Sequence, residues 1–236
     1  MVSEVLFDRY SRQIFIDEIG IAGQRKIASA KILVIGAGGL GCPVIQYLAA
    51  AGVGTMGVAD FDKVELHNLN RQIIHKEQAI GFPKVKSVQQ EVGQLNSRVN
   101  LIPIEDKVRV DNVTKLISGY DIIIDGSDNF DTRYLVNDAC VELRKPLVYG
   151  SVLAFEGQLA VFNYKGSKHL RHIFPEMPGA EETLTCDGKG VLGPLPGIVG
   201  AMMAMQALKI LVGLPVDVNQ LTVIDTFHWH FSVVTF

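Results

Sequence analysis

Cysteine is scarce in this sequence, and basic residues do not outnumber acidic ones. Three cysteines, Cys42, Cys140 and Cys186, occur in 236 residues. Their spacing fits neither a metal site nor a disulfide framework, so a reducing compartment is expected, and the cytoplasm is the expected location. Lys and Arg number 22 against 25 Asp and Glu, a net charge of −3, which leaves no general basic footprint for nucleic acid. The opening MVSEVLFDRYSRQ carries charge early and has no apolar core, so no signal peptide is expected. One stretch, GIVGAMMAMQALKILVG at 197–213, approaches membrane length. It is short for a span and holds Gln206 and Lys209, so a buried helix is expected and no membrane contact. No internal repeat, low-complexity tract or linker stands out. Composition is globular, at 48% apolar and 20% charged, and the length is enough for a single domain over 1–236 with a full core.

The best-defined feature present is KILVIGAGGLG at 31–41. Ile32 to Ile35 reads as a buried parallel strand. It runs into Gly36, Gly38, Gly39 and Gly41, and then into a helix with Pro43 near its start. Strand, glycine turn and helix in that order form a G-x-G-x-x-G phosphate-binding turn. Glycines let the backbone approach phosphate, and the helix N-terminus offers free N–H groups to the anion. Asp60 ends the next apolar strand, Thr55 to Ala59, at the place of a ribose-hydroxyl acceptor. The turn alone fits an NAD-dependent oxidoreductase as well as an ATP enzyme.

Strands and helices alternate along the first part of the chain. Two short helices over 5–29 precede the turn, and a polar loop, FDKVELHNLNRQ, follows Asp60. A helix begins after Gly81-Phe82-Pro83, and a strand covers Val99 to Ile104. Asp111 is the expected N-cap of a helix to Ile117. Asp121 to Asp125 is a buried strand, Thr132 to Leu143 a helix and Pro146 to Tyr149 a strand. The pattern then changes. Val152–Ala154 and Gln158–Tyr164 read as a hairpin joined at Glu156-Gly157. A long polar loop over 165–196, the apolar helix and two more strands, Leu221–Asp225 and His228–Val234, complete the chain. The expected fold is α/β: a doubly wound, Rossmann-like, mostly parallel sheet extended by antiparallel C-terminal strands. A nucleotide-binding half lies over about 30–150 and an antiparallel half over about 151–236.

Polar side chains gather on loops that follow strands. Asn68 and Arg71-Gln72 come after Asp60-Phe61-Asp62, Lys84 starts a helix, and Asp128-Asn129 lies past the carboxyl end of a central strand. Open α/β sheets bind ligands at that end. Two cations, an amide and a carboxylate suit a triphosphate with its Mg²⁺. Each residue also has a plainer reading: Arg71 and Lys84 as surface charges, Asp62 as a turn residue, Asp128 as an N-cap.

DFDKVELHNLNRQ, GFPKV, DGSDNFDTRYLVNDAC and VLGPLPGIVG together resemble the ThiF/MoeB/HesA family, the bacterial relatives of ubiquitin-activating enzymes. The resemblance runs from about Arg9 to Asp225. It implies MgATP-dependent adenylation of the C-terminal Gly-Gly carboxylate of a ubiquitin-fold sulfur carrier, in thiamine or molybdenum-cofactor synthesis. It implies that Gly39 and the turn contact ATP, Asp60 the ribose, Asn68, Arg71 and Lys84 the phosphates, and Asp128 the magnesium. Gln72 and Asn129 fall in the same motifs. Arg12, in RYSRQ, matches an arginine that reaches the other subunit of a homodimer. Cys186 stands where the thiamine branch has a cysteine that can link to the carrier through sulfur. A carboxylate nucleophile is already ionised and needs no general base, consistent with the lack of a Ser-His-Asp or Cys-His arrangement. Many relatives carry two CxxC pairs for structural zinc. Here His169 and His172 stand at the first, the second is missing, and His228 and His230 alternate on a strand, so no zinc is expected. No sulfurtransferase domain is appended, so a separate protein is expected to donate sulfur.

Overall fold

The computed structural model describes residues 4–177 and 190–236, with side chains described from residue 7 onward. Eight strands form one sheet in the order β3-β2-β1-β4-β5-β6-β7-β8. β1 (Lys31–Ile35), β2 (Thr55–Ala59), β3 (Asn100–Ile104), β4 (Ile122–Asp125) and the first part of β5 (Leu147–Leu153) run parallel. β6 (Glu156–Phe162), β7 (Gln220–Asp225) and β8 (His230–Thr235) continue the sheet antiparallel. The doubly wound sheet with an antiparallel extension is therefore present as expected.

The central strands are apolar on both sides because helices cover both faces. Ile32, Leu33, Ile122, Ile123 and Ile124 are all at most 1% exposed, and each such side chain contributes about 1.5–3 kcal/mol of burial. One face packs against α3 (Gly41–Ala51), α4 (Lys84–Leu95) and α7 (Pro194–Val212). The other packs against α5 (Val113–Ser118) and α6 (Phe130–Glu142). Two N-terminal helices, α1 (Glu4–Ile14) and α2 (Gly20–Ser29), lean on one another, and α2 also packs on α7. α7 is long and apolar enough to cross a membrane, yet half of its apolar window is buried in the domain.

Four local expectations are corrected. Pro146–Tyr149 and Val152–Ala154 are not two strands but the single strand β5, which pairs with β4 on one edge and β6 on the other. The hairpin turn falls at Ala154-Phe155, with Ala154 at φ +51°, and not at Glu156-Gly157. The glycines misled because their role is packing. A Cβ at Gly150 would collide with Met203, and one at Gly157 would sit 2.6 Å from Val199, both on α7. Asn112, not Asp111, precedes α5; Asp111 is instead an exposed partner of Arg109 at 3.4 Å. His228 lies in the β7–β8 turn rather than on the strand.

Candidate active site

The strand order reverses between β1 and β4, and a cleft lies at the carboxyl ends of these two strands, lined by the loops that leave them. The cleft there has a volume of about 860 Å³, within the usual range for small-ligand sites. The glycine turn forms one lip. Gly36 has φ +90°, and a Cβ there would sit 2.8 Å from the Gly126 carbonyl oxygen of the β4 loop. A Cβ at Gly41 would land on the Gly36 carbonyl. The turn is thus closed on itself and pressed against the β4 loop, which only glycine permits. Gly36, Gly38 and Gly39 line the cleft, and Gly41 starts α3 beneath them.

Asp60 lies at the end of β2. Its Oδ2 accepts from the Ala37 amide at 2.7 Å and its Oδ1 from the Asp62 amide at 2.8 Å. Burial raises its pKa, opposed first by the charge of Lys84. The carboxylate therefore fixes the glycine turn while lining the cleft. Lys84 is only 6% exposed, at the first position of α4, and its Nζ meets Asp62 Oδ2 at 2.9 Å. Arg71 and Gln72 line the same wall. Arg71 is half-buried and donates to the His67 carbonyl at 3.0 Å. Gln72 is buried with Oε1 lacking a hydrogen-bond partner.

Two motif residues have structural duties. Asn68 is not among the described residues lining the cleft; its Oδ1 accepts from the Glu65 amide at 3.0 Å, bracing a short 3₁₀ turn. Asn129 caps α6 by accepting from the Thr132 amide at 2.9 Å. Asp128 is therefore not the cap. It is exposed on the cleft, and its carboxylate accepts from Asn129 Nδ2 at 3.3 Å.

Beneath Asp128 lies a network the sequence reading missed. Asp125 is fully buried; its Oδ1 accepts from the Ser127 amide and hydroxyl at 3.0 and 2.6 Å, and its Oδ2 has no partner. Burial raises its pKa, with the nearby Arg133 charge opposing most. Arg133 donates to Tyr149 Oη and to the Ser127 carbonyl, both at 2.8 Å. The available signal was a charged residue on the core face of a helix, among Tyr134, Val136, Asn137 and Cys140. His75, buried behind the glycine turn, was also missed.

The other expected residues are not among the described residues that line the cleft. Arg12 is exposed on the last turn of α1 and does not line it. Cys186 lies outside the described residues. The rings of His169 and His172 meet edge to face, 4.2 Å apart, beside the start of β7, where the Lys168 amide donates to Asn219. His228 and His230 sit past the other end of β7, and a strand of six residues spans about 17–20 Å. The four histidines therefore do not converge. Among the described residues no group of three or more His, Cys, Asp or Glu is arranged to hold a metal.

The sequence pattern of the ThiF family matches residues 10–236. The chain belongs to the ThiF family. This ThiF-family chain is 50% identical over 204 residues to the adenylyltransferase and sulfurtransferase MOCS3 of Anopheles gambiae, a match covering 86% of this chain and 46% of that one. It spans about half the length of the curated relatives it matches. The fold superposes on the crystal structure of E. coli MccB with MccA-N7isoASN at a TM-score of 0.86, with 21% identity, covering 96% of this chain and 72% of that one. E. coli MccB solved with ATP gives a TM-score of 0.82, with 21% identity, covering 97% and 71%. These likenesses account for the sheet order, and the ThiF assignment rests on the pattern match.

Proposed function

We propose that this chain is an ATP-dependent adenylyltransferase that activates the C-terminal carboxylate of a ubiquitin-fold sulfur carrier ending in Gly-Gly. The observation that carries this reading is the positive lining of the cleft that Asp128 also lines. There the buried Lys84 ammonium, Arg71 and the glycine turn face one cleft at the strand-order switch. No histidine or cysteine lies among the described lining residues, which suits a nucleophile needing no base. The relatives' names support the reaction class.

In this reaction a carboxylate oxygen attacks the α-phosphorus of ATP, and the bond to pyrophosphate breaks, leaving an acyl-adenylate. Backbone amides of the glycine turn and the charges of Arg71 and Lys84 neutralise the phosphates, and Asp60 receives the ribose hydroxyls. Asp128 supplies a hard oxygen donor, and with phosphate oxygens that set suits Mg²⁺. Held there by Asp128 and the phosphates, Mg²⁺ would screen charge on the phosphate oxygens. The carrier approaches over the antiparallel half, supported by the exposed Phe155 and Phe227, whose rings meet edge to face 5.3 Å apart beside the cleft-lining Glu156.

The assembly is proposed to be a homodimer in the cytoplasm, serving thiamine or molybdenum-cofactor synthesis, with Arg12 reaching the neighbouring site. The uncovered side of α7, with Met205 exposed, supports an interface. Sulfur is assigned to a separate donor protein; among the described residues Cys42 and Cys140 are buried, with the Cys42 thiol pushed up to about 12 by burial. Cys186 is proposed to link to the carrier, and no structural zinc is proposed.

ATP–pyrophosphate exchange tests the reading. Exchange that depends on Mg²⁺ and on a Gly-Gly carrier is expected. Tight NAD binding without exchange overturns it.

A further inference from the structure

Three parts of the nucleotide wall meet on one residue that does not itself line the cleft. His75 is 4% exposed. Its Nε2 lies 3.0 Å from the Ala37 carbonyl oxygen in the glycine turn, and its Nδ1 lies 2.9 Å from Ser87 Oγ in α4. Ser87 is three residues beyond Lys84 on the same first turn. The His75 amide donates to the Gln72 carbonyl at 3.1 Å, which ties in the segment bearing Arg71 and Gln72.

The ring's protonation follows from its partners. A carbonyl oxygen only accepts, so Nε2 carries the proton and Nδ1 accepts from the Ser87 hydroxyl. Burial lowers the pKa, consistent with a neutral ring, and the charges of Lys84 and Lys76 act in the same direction. Ala37 also donates its amide to Asp60. One residue, Ala37, is therefore held from both sides, by a carboxylate just past β2 and by an imidazole hydrogen-bonded to the Lys84 helix. Packing alone would be met by a hydrocarbon of similar volume. Two nitrogens aimed at two different elements set a spacing instead, and sub-ångström spacing is what phosphate recognition and in-line attack depend on.

We propose that His75 is a positioning residue that sets nucleotide affinity by fixing the glycine turn against the Lys84 helix. The inference rests on the reading that the cleft takes ATP.

The test uses the full chain with MgATP. ATP dissociation constants come from calorimetry, the carrier KM from pyrophosphate exchange and folding from thermal melts. A glutamine at this position reaches as far as Nε2 and can keep the Ala37 bond, whereas an asparagine reaches only Nδ1. His75→Ala is expected to weaken ATP binding about tenfold, as for one lost hydrogen bond in a poised site. The carrier KM should stay within about twofold, a change too small for a lost contact. His75→Gln should recover binding and His75→Asn should not. Ser87→Ala should weaken binding less, and the double variant with His75→Ala should be no worse than His75→Ala alone. Unchanged ATP affinity in His75→Ala, or glutamine performing no better than asparagine, overturns the proposal. If the His75 variants do not fold, Ser87→Ala decides: weaker ATP binding with an unchanged melt supports it, and unchanged affinity overturns it. A wild-type chain that binds no ATP overturns the functional reading and this inference together. Wild-type binding and exchange with an unaffected His75→Ala overturns this inference alone.

Discussion

Lys84 is buried and Asp62 half-exposed, and their charged ends meet at 2.9 Å on the rim of the cleft. The pair holds a desolvated cation ready beside the glycine turn, with its counter-charge on the solvent side. Removing each partner should therefore have a different consequence. Lys84→Ala is expected to lower pyrophosphate exchange about 10²–10³-fold, as for a lost charge-stabilising donor. Asp62→Ala should keep most exchange and lower Tm by about 2–4 °C, the effect of roughly 1 kcal/mol in a domain of this size. Equal losses of exchange in the two variants would contradict this division.

Asp128 and Asn129 are adjacent yet separable. Asn129 caps α6 and Asp128 does not. Asp128→Ala is expected to abolish Mg²⁺-dependent exchange with an unchanged melt. Asn129→Ala should cost about 1 kcal/mol of stability through the lost cap. A magnesium titration of exchange, with thermal melts of both variants, checks the pair. Near-normal exchange in Asp128→Ala sinks its assignment.

Arg12 lies outside its own subunit's cleft, so the dimer reading makes a complementation prediction. Arg12→Ala and Asp128→Ala chains should each be inactive alone. Mixed one to one, half of the dimers are heterodimers with one intact site in two, so about a quarter of wild-type activity should return. A dead mixture in which heterodimers are shown to form places Arg12 in its own subunit or in no site.

Gly157 tests whether the antiparallel strands need glycine for packing. Gly157→Ala should destabilise the chain by about 1–3 kcal/mol, because its Cβ meets Val199. Val199→Ala in the same chain should recover part of that loss in a urea double-mutant cycle. Additive losses would show that the strain lies in the backbone.

Much of the architecture was legible in order along the chain. Hydrophobic runs bounded by glycine, and helical spacing between them, identify parallel strands and crossovers because both are local patterns with a fixed period. The glycine turn was legible for the same reason, since four glycines between a strand and a helix form a local backbone signal. Lys84, Arg71 and Asp128 could be picked out as candidates because strand-end loops converge wherever such a sheet forms. Tertiary contacts decided what each polar group does. The sequence could not tell that Asn129 rather than Asp128 caps α6, that Asn68 braces its own loop, or that Arg133 is buried under Asp128 and bonded to Tyr149, 16 residues away. Nor could it tell that Gly150 and Gly157 lie within strands and make room for α7. His75 reaches a carbonyl 38 residues back in the chain. Local period carries no information about such a partner, because it is chosen by which surfaces the sheet brings together.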